Sequence, residues 1–388
     1  MVLLLANLSL AQSPTFLEPC AKGKEPPAEL GPQQPTLCQR YTPNPSEPQP
    51  PAFQIGSPGR QLASQIVALL GGSNQLPGVV SVVGNFTVDV DFTFINTVAF
   101  ISPNVLISVS DDRLFTLENA KLFCCSGLWR GIYLNDGADI DSKSSTEIED
   151  AIIAVDVPCR RSQVFINNTT FNRNIIGIRV GILGQLQAPC LISNNSLQFE
   201  TFSGNTFSCT SPLNGPQSGT GLAGIQVLGN RILRVGTLNS APSLFTQIRY
   251  GIFSPLGTGI TTLIVNRCHF ENILDSGISQ SDGTLTTNEC HFTNCFANGI
   301  VQGFTRDLTV DFCRFVYMNG LNGTASDFHN GIFATRFAIG TEVSITHSFF
   351  EISHDIANGI SRGIHLDGGV DDVSAETSVT ISNNDFLI

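Results

Sequence analysis

Two stretches of thirteen residues, NRCHFENILDSGI (266–278) and NECHFTNCFANGI (288–300), are nearly the same and stand 22 positions apart. Self-similarity at such a period constrains the fold more than any other property of a chain, because it implies a stack of like units. Aligned on a phenylalanine, the unit recurs as VFINNTTF (164–171), LIVNRCHF (263–270), LTTNECHF (285–292), LTVDFCRF (308–315), VSITHSFF (343–350) and VTISNNDF (379–386), with CLISNNSL (190–197) as a seventh copy ending in Leu. A second string, opening on Gly-Ile, begins at 131, 177, 224, 251, 277, 299, 331 and 363, with spacings of 46, 47, 27, 26, 22, 32 and 32. The two long spacings each read as two units, DAIIAV at 150 filling the first, so the basic unit is 22 to 32 residues.

Apolar residues fall two apart in short segments broken by Asn and Gly, which predicts short strands and tight turns and not helical repeats. Short parallel strands, each about 4.8 Å above its predecessor, satisfy every backbone group through the coils above and below and bury the inward side chains in one column. The fold class expected is all-β, a parallel β-helix. Composition agrees: Gly (36) and Phe (27) are abundant while charged residues are 13% of the 388, a balance suited to strands and turns. The net charge of −12, with no cluster of Lys and Arg, argues against nucleic acid or an anionic membrane as partner.

The periodicity of NxxF followed by GI resembles right-handed parallel β-helix proteins of the pectate-lyase-like superfold, and LENAKLFCCSGLWRGIYLNDGADID (117–141) is similar to the opening coils of such domains in exported surface proteins of Bacteroidetes. That resemblance covers residues 79 to 388 and implies a right-handed solenoid of roughly ten to twelve coils. It says little of function, since one fold carries enzymes, adhesins and scaffolds alike.

Ahead of it, residues 1–11 (MVLLLANLSLA) read as the later half of a secretory signal, too short for a membrane span, and residues 12–58 as a Pro-rich linker. Residues 59–78 hold an amphipathic helix over GRQLASQIVALL, with Leu62, Ile66, Leu69 and Leu70 on one face, placed to cap the open first coil. At the other end the sequence stops inside a template, NNDFLI, and reads as truncated. Residues 198–223 and 316–330 read as long inserts between coils. Of the eleven cysteines, Cys20 and Cys38 form the expected disulfide, while Cys268, Cys290 and Cys313 line the interior as small hydrophobes.

Within the template, Leu263, Val265, Cys268 and Phe270 face inward and the chain turns at Asn266 and Arg267. Asn at that corner tolerates a left-handed conformation, and Asn167, Asn266 and Asn288 are placed to bond side chain to side chain, coil over coil. The phenylalanines Phe171, Phe270, Phe292, Phe315, Phe350 and Phe386 are expected to stack.

Alternation turns the third residue of each GI string outward, giving a stripe of Tyr133, Arg179, Gln226, Phe253, Ser279, Val301, Phe333 and His365. No carboxylate is expected on it, whereas cleavage of glycans needs a pair of acids or an acidic calcium cluster with a base. The best remaining constellation for chemistry is Arg362, His365, Asp367, Asp371 and Asp372, and NDGADID offers Asn135, Asp136, Asp139 and Asp141 as oxygen donors without the spacing of a calcium loop. No residue is therefore assigned to catalysis, to a cofactor or to a metal. The exposed Tyr133, Phe253 and Phe333 suit stacking on sugars or a protein. The expectation is a monomeric, secreted or cell-surface binding or spacer module with an extracellular glycan or protein as ligand; the alternative is a polysaccharide lyase or glycoside hydrolase using His365 and Asp367.

Overall fold

In the computed structural model the residues described are 35–41, 53–158, 161–181, 196–213, 219–229, 231–316, 328–351, 360–367 and 377–387. Their strands form one parallel β-helix with three sheets running along its length. The GI sheet climbs from Phe86–Val88 to Ile360–Asp367, the aliphatic sheet from Gln75–Val82 to Ser378–Ser382, and the phenylalanine sheet from Phe53–Ile55 to Asp385–Leu387. Eleven coils carry all three strands, the first over residues 86–101 and the last over 360–387. The ladder begins ahead of residue 79, because Phe53–Ile55 pairs in parallel with Val80–Val82.

The interior is filled by files of one residue type. Phe171, Phe207, Phe245, Phe270, Phe292, Phe315, Phe350 and Phe386 stack in order with ring centroids 4.7 to 5.0 Å apart and planes within 15° of parallel. Phe207 and Phe245 belong to the file without carrying the eight-residue template. Leu197, the end of the seventh template copy, belongs to a different sheet and pairs with Leu233. The spacing of 47 from GIRV to GIQV is also one coil and not two, since Ile178 pairs directly with Ile225; the strands Ser196–Ser203 and Thr206–Ser208 of that coil lie where an insert was expected.

The phenylalanine file explains the opening glycine of the GI strings from Gly177 to Gly331, whereas Gly131 is required by its positive φ (103°) against the Ile153 carbonyl oxygen. A Cβ on Gly277 would lie 2.7 Å from the Gly299 carbonyl oxygen and 2.7 Å from the Phe292 ring, and Gly177, Gly224, Gly251 and Gly299 meet the same pair of obstacles one coil at a time. The rings from Phe207 to Phe350 thus rest on bare backbone. Gly277→Ala is expected to cost about 1–3 kcal/mol by overpacking, read as a shift in the urea midpoint at unchanged slope.

The corners differ from expectation by one residue. Asn266 and Asn288 end their strands in extended conformation, and the left-handed position falls on the next residue: Arg267 (φ 49°), Glu289 (51°), Phe312 (48°), His347 (47°) and Asn383 (54°). The Asn266 amide reaches the Gly236 carbonyl, and Asn167 bonds Thr201 and Ser203. Coil-to-coil asparagine bonds form elsewhere: Asn294 donates to Asn272 (3.2 Å), Asn119 to Asn96 (2.9 Å) and Asn330 to Asn298 (2.9 Å).

At the start of the column the helix spans Ala63–Leu69 and buries Ala63 and Ile66, while Leu69 is exposed. Seven residues make two turns, so the apolar face is narrower than the sequence pattern suggested. A second, five-residue helix, Leu37–Tyr41, straps the outer surface of the phenylalanine sheet: Leu37 is buried, Tyr41 stacks on Phe123, and Cys38 is bonded to Cys125. The expected partner of Cys38 was Cys20, which lies outside the described residues. Local chain order favoured the near cysteine; the docking of the strap brings Cys38 to one 87 positions away. Cys268, Cys290, Cys295 and Cys313 are buried and unoxidised, and burial pushes the Cys268 and Cys295 thiols far up.

Candidate binding face

The outer stripe of the GI sheet exists as one unbroken register. Tyr133 pairs with Asp156, Asp156 with Arg179, and the line continues through Gln226, Phe253, Ser279, Val301 and Phe333 to His365. Asp156 corrects the expectation of a stripe without carboxylates. Its strand, Ile153–Val157, reads IAVDV; DAIIAV marks the coil, but without a GI string nothing marks the outward position. Arg179 holds both carboxylate oxygens of Asp156, Nε to Oδ1 at 3.0 Å and Nη2 to Oδ2 at 2.6 Å, in the fork geometry that guanidinium and carboxylate favour. Burial, followed by the charge of Asp156, pushes the neighbouring Tyr133 hydroxyl up.

The aromatic positions are doubled. The Phe253 ring stacks on Tyr250 (centroids 4.5 Å, planes 10°), and the Arg249 guanidinium lies 5.2 Å over Tyr250 while pairing with Asp275 at 3.6 Å. Burial, and then the Asp275 carboxylate, push Tyr250 up to about 12. Phe333 meets His365 at 4.9 Å with planes tilted 33°, and Arg362 Nη1 donates to His365 Nδ1 at 2.8 Å. Because each partner ring is fixed by its strand, the faces are presented with little rotamer freedom left to lose.

The charged constellations are less convergent than their spacing implied. Of the five residues near the last coil, Arg362 and His365 meet; Asp367 is exposed, with its backbone oxygen accepting from Arg336, and Asp371 and Asp372 lie outside the described residues. In NDGADID, Asp136 faces Arg161, which also pairs with Asp112; Asp139 accepts the Gln163 amide; Asp141 pairs with Lys143; and the Asn135 amide bonds the Val109 carbonyl. The four donors turn to four different partners. Among the described residues no group of three or more His, Cys, Asp or Glu side chains is placed to hold a metal ion.

A buried polar cluster went unnoticed in the sequence. Beneath the strap, Glu149 accepts the Leu37 amide (2.8 Å) and Asn172 Nδ2 (2.8 Å), and at the next residue of each coil Arg173 pairs with Asp150 at 2.8 Å with both side chains almost wholly buried. Burial pushes Asp150 up to about 7 against the pull of Arg173. Above it Arg40 and Lys121 both bind Glu147, and they hold that carboxylate low despite its burial. These groups fasten the strap and stand on the phenylalanine sheet, away from the GI face.

Comparison with family models, curated proteins and solved structures gives no match. The parallel β-helix therefore rests on the strand pairing itself. Among the described residues no helix is long and apolar enough to cross a membrane.

Proposed function

We propose that the chain is an exported or cell-surface binding module of the pectate-lyase-like type, which takes its ligand, a glycan or a protein, on the outer face of the GI sheet. The observation that carries this reading is the single register line from Tyr133 to His365, which sets two doubled aromatic platforms on one solvent-facing sheet. Solvent-facing aromatics on a rigid sheet give contact area at small entropic cost, whereas the core stack does the stabilising. The Cys38–Cys125 disulfide fits the oxidising compartment that export implies.

Catalysis through His365 and Asp367 is the weaker reading. Glycosidases place two carboxyl groups across the scissile bond, and Asp156, the acid on the line, already has both oxygens on Arg179. Incubation with neutral and acidic polysaccharides is expected to release neither unsaturated ends nor reducing sugar. For binding, the wild-type protein is expected to retain ligand on a glycan array or in a pull-down of surface proteins, with Phe253→Ala and Phe333→Ala reduced at equal thermal stability. A wild-type protein that retains nothing in either format refutes the proposal.

A further inference from the structure

Between the two aromatic platforms the GI face changes character. Phe253 and Phe333 are separated by Ser279 and Val301 in the register line, three strand spacings or about 14 Å apart. The next outward positions on those two intervening strands are Ser281 and Gly303. Over Ser279, Ser281, Val301 and Gly303 the floor is thus two strands wide and built of short side chains, ending at the exposed Phe304, while Tyr250 with Phe253 and Phe333 with His365 rise on either side. The result is a shallow trough that crosses the solenoid axis and runs along the strand direction.

We infer that this trough seats a single extended chain of a neutral glycan. The inference rests on the reading of the GI face as the binding face and names the place and the ligand class. The walls present aromatic faces, which suit the C–H faces of pyranose rings, and the floor presents the Ser279 and Ser281 hydroxyls to the polar rim. No charged side chain stands among Ser279, Ser281, Val301 and Gly303, and the guanidiniums around them are engaged, Arg249 with Asp275, Arg306 with Asp282 at the end of the floor, and Arg362 with His365. With a chain-wide charge of −12, a polyanion finds repulsion and no open cation beside the walls. A peptide would need unpaired backbone along a sheet edge, and here every floor strand has neighbours on both sides.

The test is titration calorimetry on the full chain with neutral β-glucan and xylan oligosaccharides, and with oligogalacturonate and dextran sulfate as charged comparators. At least one neutral probe is expected to bind, with each of Phe253→Ala and Phe333→Ala weakening it about tenfold, the worth of one aromatic stacking contact. Ser279→Arg, which fills the floor from an outward position and leaves the core untouched, is expected to abolish binding at unchanged melting temperature. Undiminished affinity in Ser279→Arg, or tighter binding of a charged comparator, overturns the trough. Loss of binding in Arg179→Gln alone places the ligand elsewhere on the line: the trough fails and the binding face stands. If no oligosaccharide binds while a surface protein is retained through the same face, the trough again fails alone; if nothing binds at all, both readings fall.

Discussion

Phe292→Ala is expected to lower stability by about 3–5 kcal/mol, the range for removing a fully buried aromatic from a close-packed interior. Phe292 lies between Phe270 and Phe315, 4.8 Å from each, and the column has no slack along its axis because strand spacing is fixed by backbone hydrogen bonds. The cavity therefore stays open. In a solenoid each coil touches only its neighbours, so the loss is local. Amide exchange is expected to accelerate in residues 250–316 and to change little near residues 53–123. Phe386→Ala is the control: that ring stacks on Phe350 on one side and is 49% exposed, and its removal is expected to cost about 1 kcal/mol or less. Equal costs for the two variants would show that the stack is not what stabilises the coils.

Arg173→Asn is the second large effect, and it depends on pH. Arg173 occupies a left-handed corner (φ 55°), a conformation that Asn tolerates, so the substitution removes the guanidinium without adding backbone strain. It leaves Asp150 buried beside Glu149 with its ion pair gone, which costs about 3–5 kcal/mol where the carboxyl is ionised. The Asp150 carboxyl is already raised to about 7 from an ordinary 3.8. A raised carboxyl contributes stability below its unfolded value and loses it as pH climbs through the folded one. Without Arg173 the folded value rises further, so protonation relieves the defect in acid. Urea titrations are expected to show a large deficit at pH 8 and a much smaller one at pH 5. A deficit that does not vary with pH would mean that Asp150 is not the group left uncompensated.

Much of the architecture was legible because a solenoid writes its contacts at a fixed interval. Phe270, Phe292 and Phe315 touch one another in space because they occupy equal places in successive repeats. The same regularity placed Phe253, Ser279, Val301, Phe333 and His365 in one outward line. Where the motif lapsed, so did the reading: Asp156 sits on a strand spelled without Gly-Ile, and Phe207 and Phe245 sit on strands that lack the full eight-residue template. The left-handed corner was assigned by residue preference to Asn266, yet it falls on Arg267, because the strand ladder holds Asn266 in register with Asn288.

The sequence by itself determined the parallel coil, the core file from Phe270 to Phe386 and the outward line from Phe253 to His365, since all follow from a period of two within strands and of one coil between them. Tertiary structure alone decided what meets across that order: Cys38 with Cys125, Arg173 with Asp150, Arg179 with Asp156, and the ring of Phe292 on the bare backbone of Gly277. Both ion pairs span one coil, 23 positions, while the ring-on-glycine contact spans 15 and the disulfide 87. The interval brings the partners of each ion pair to neighbouring coils, but which side chains a corner turns toward each other, and how far the strap reaches, are matters of three-dimensional distance.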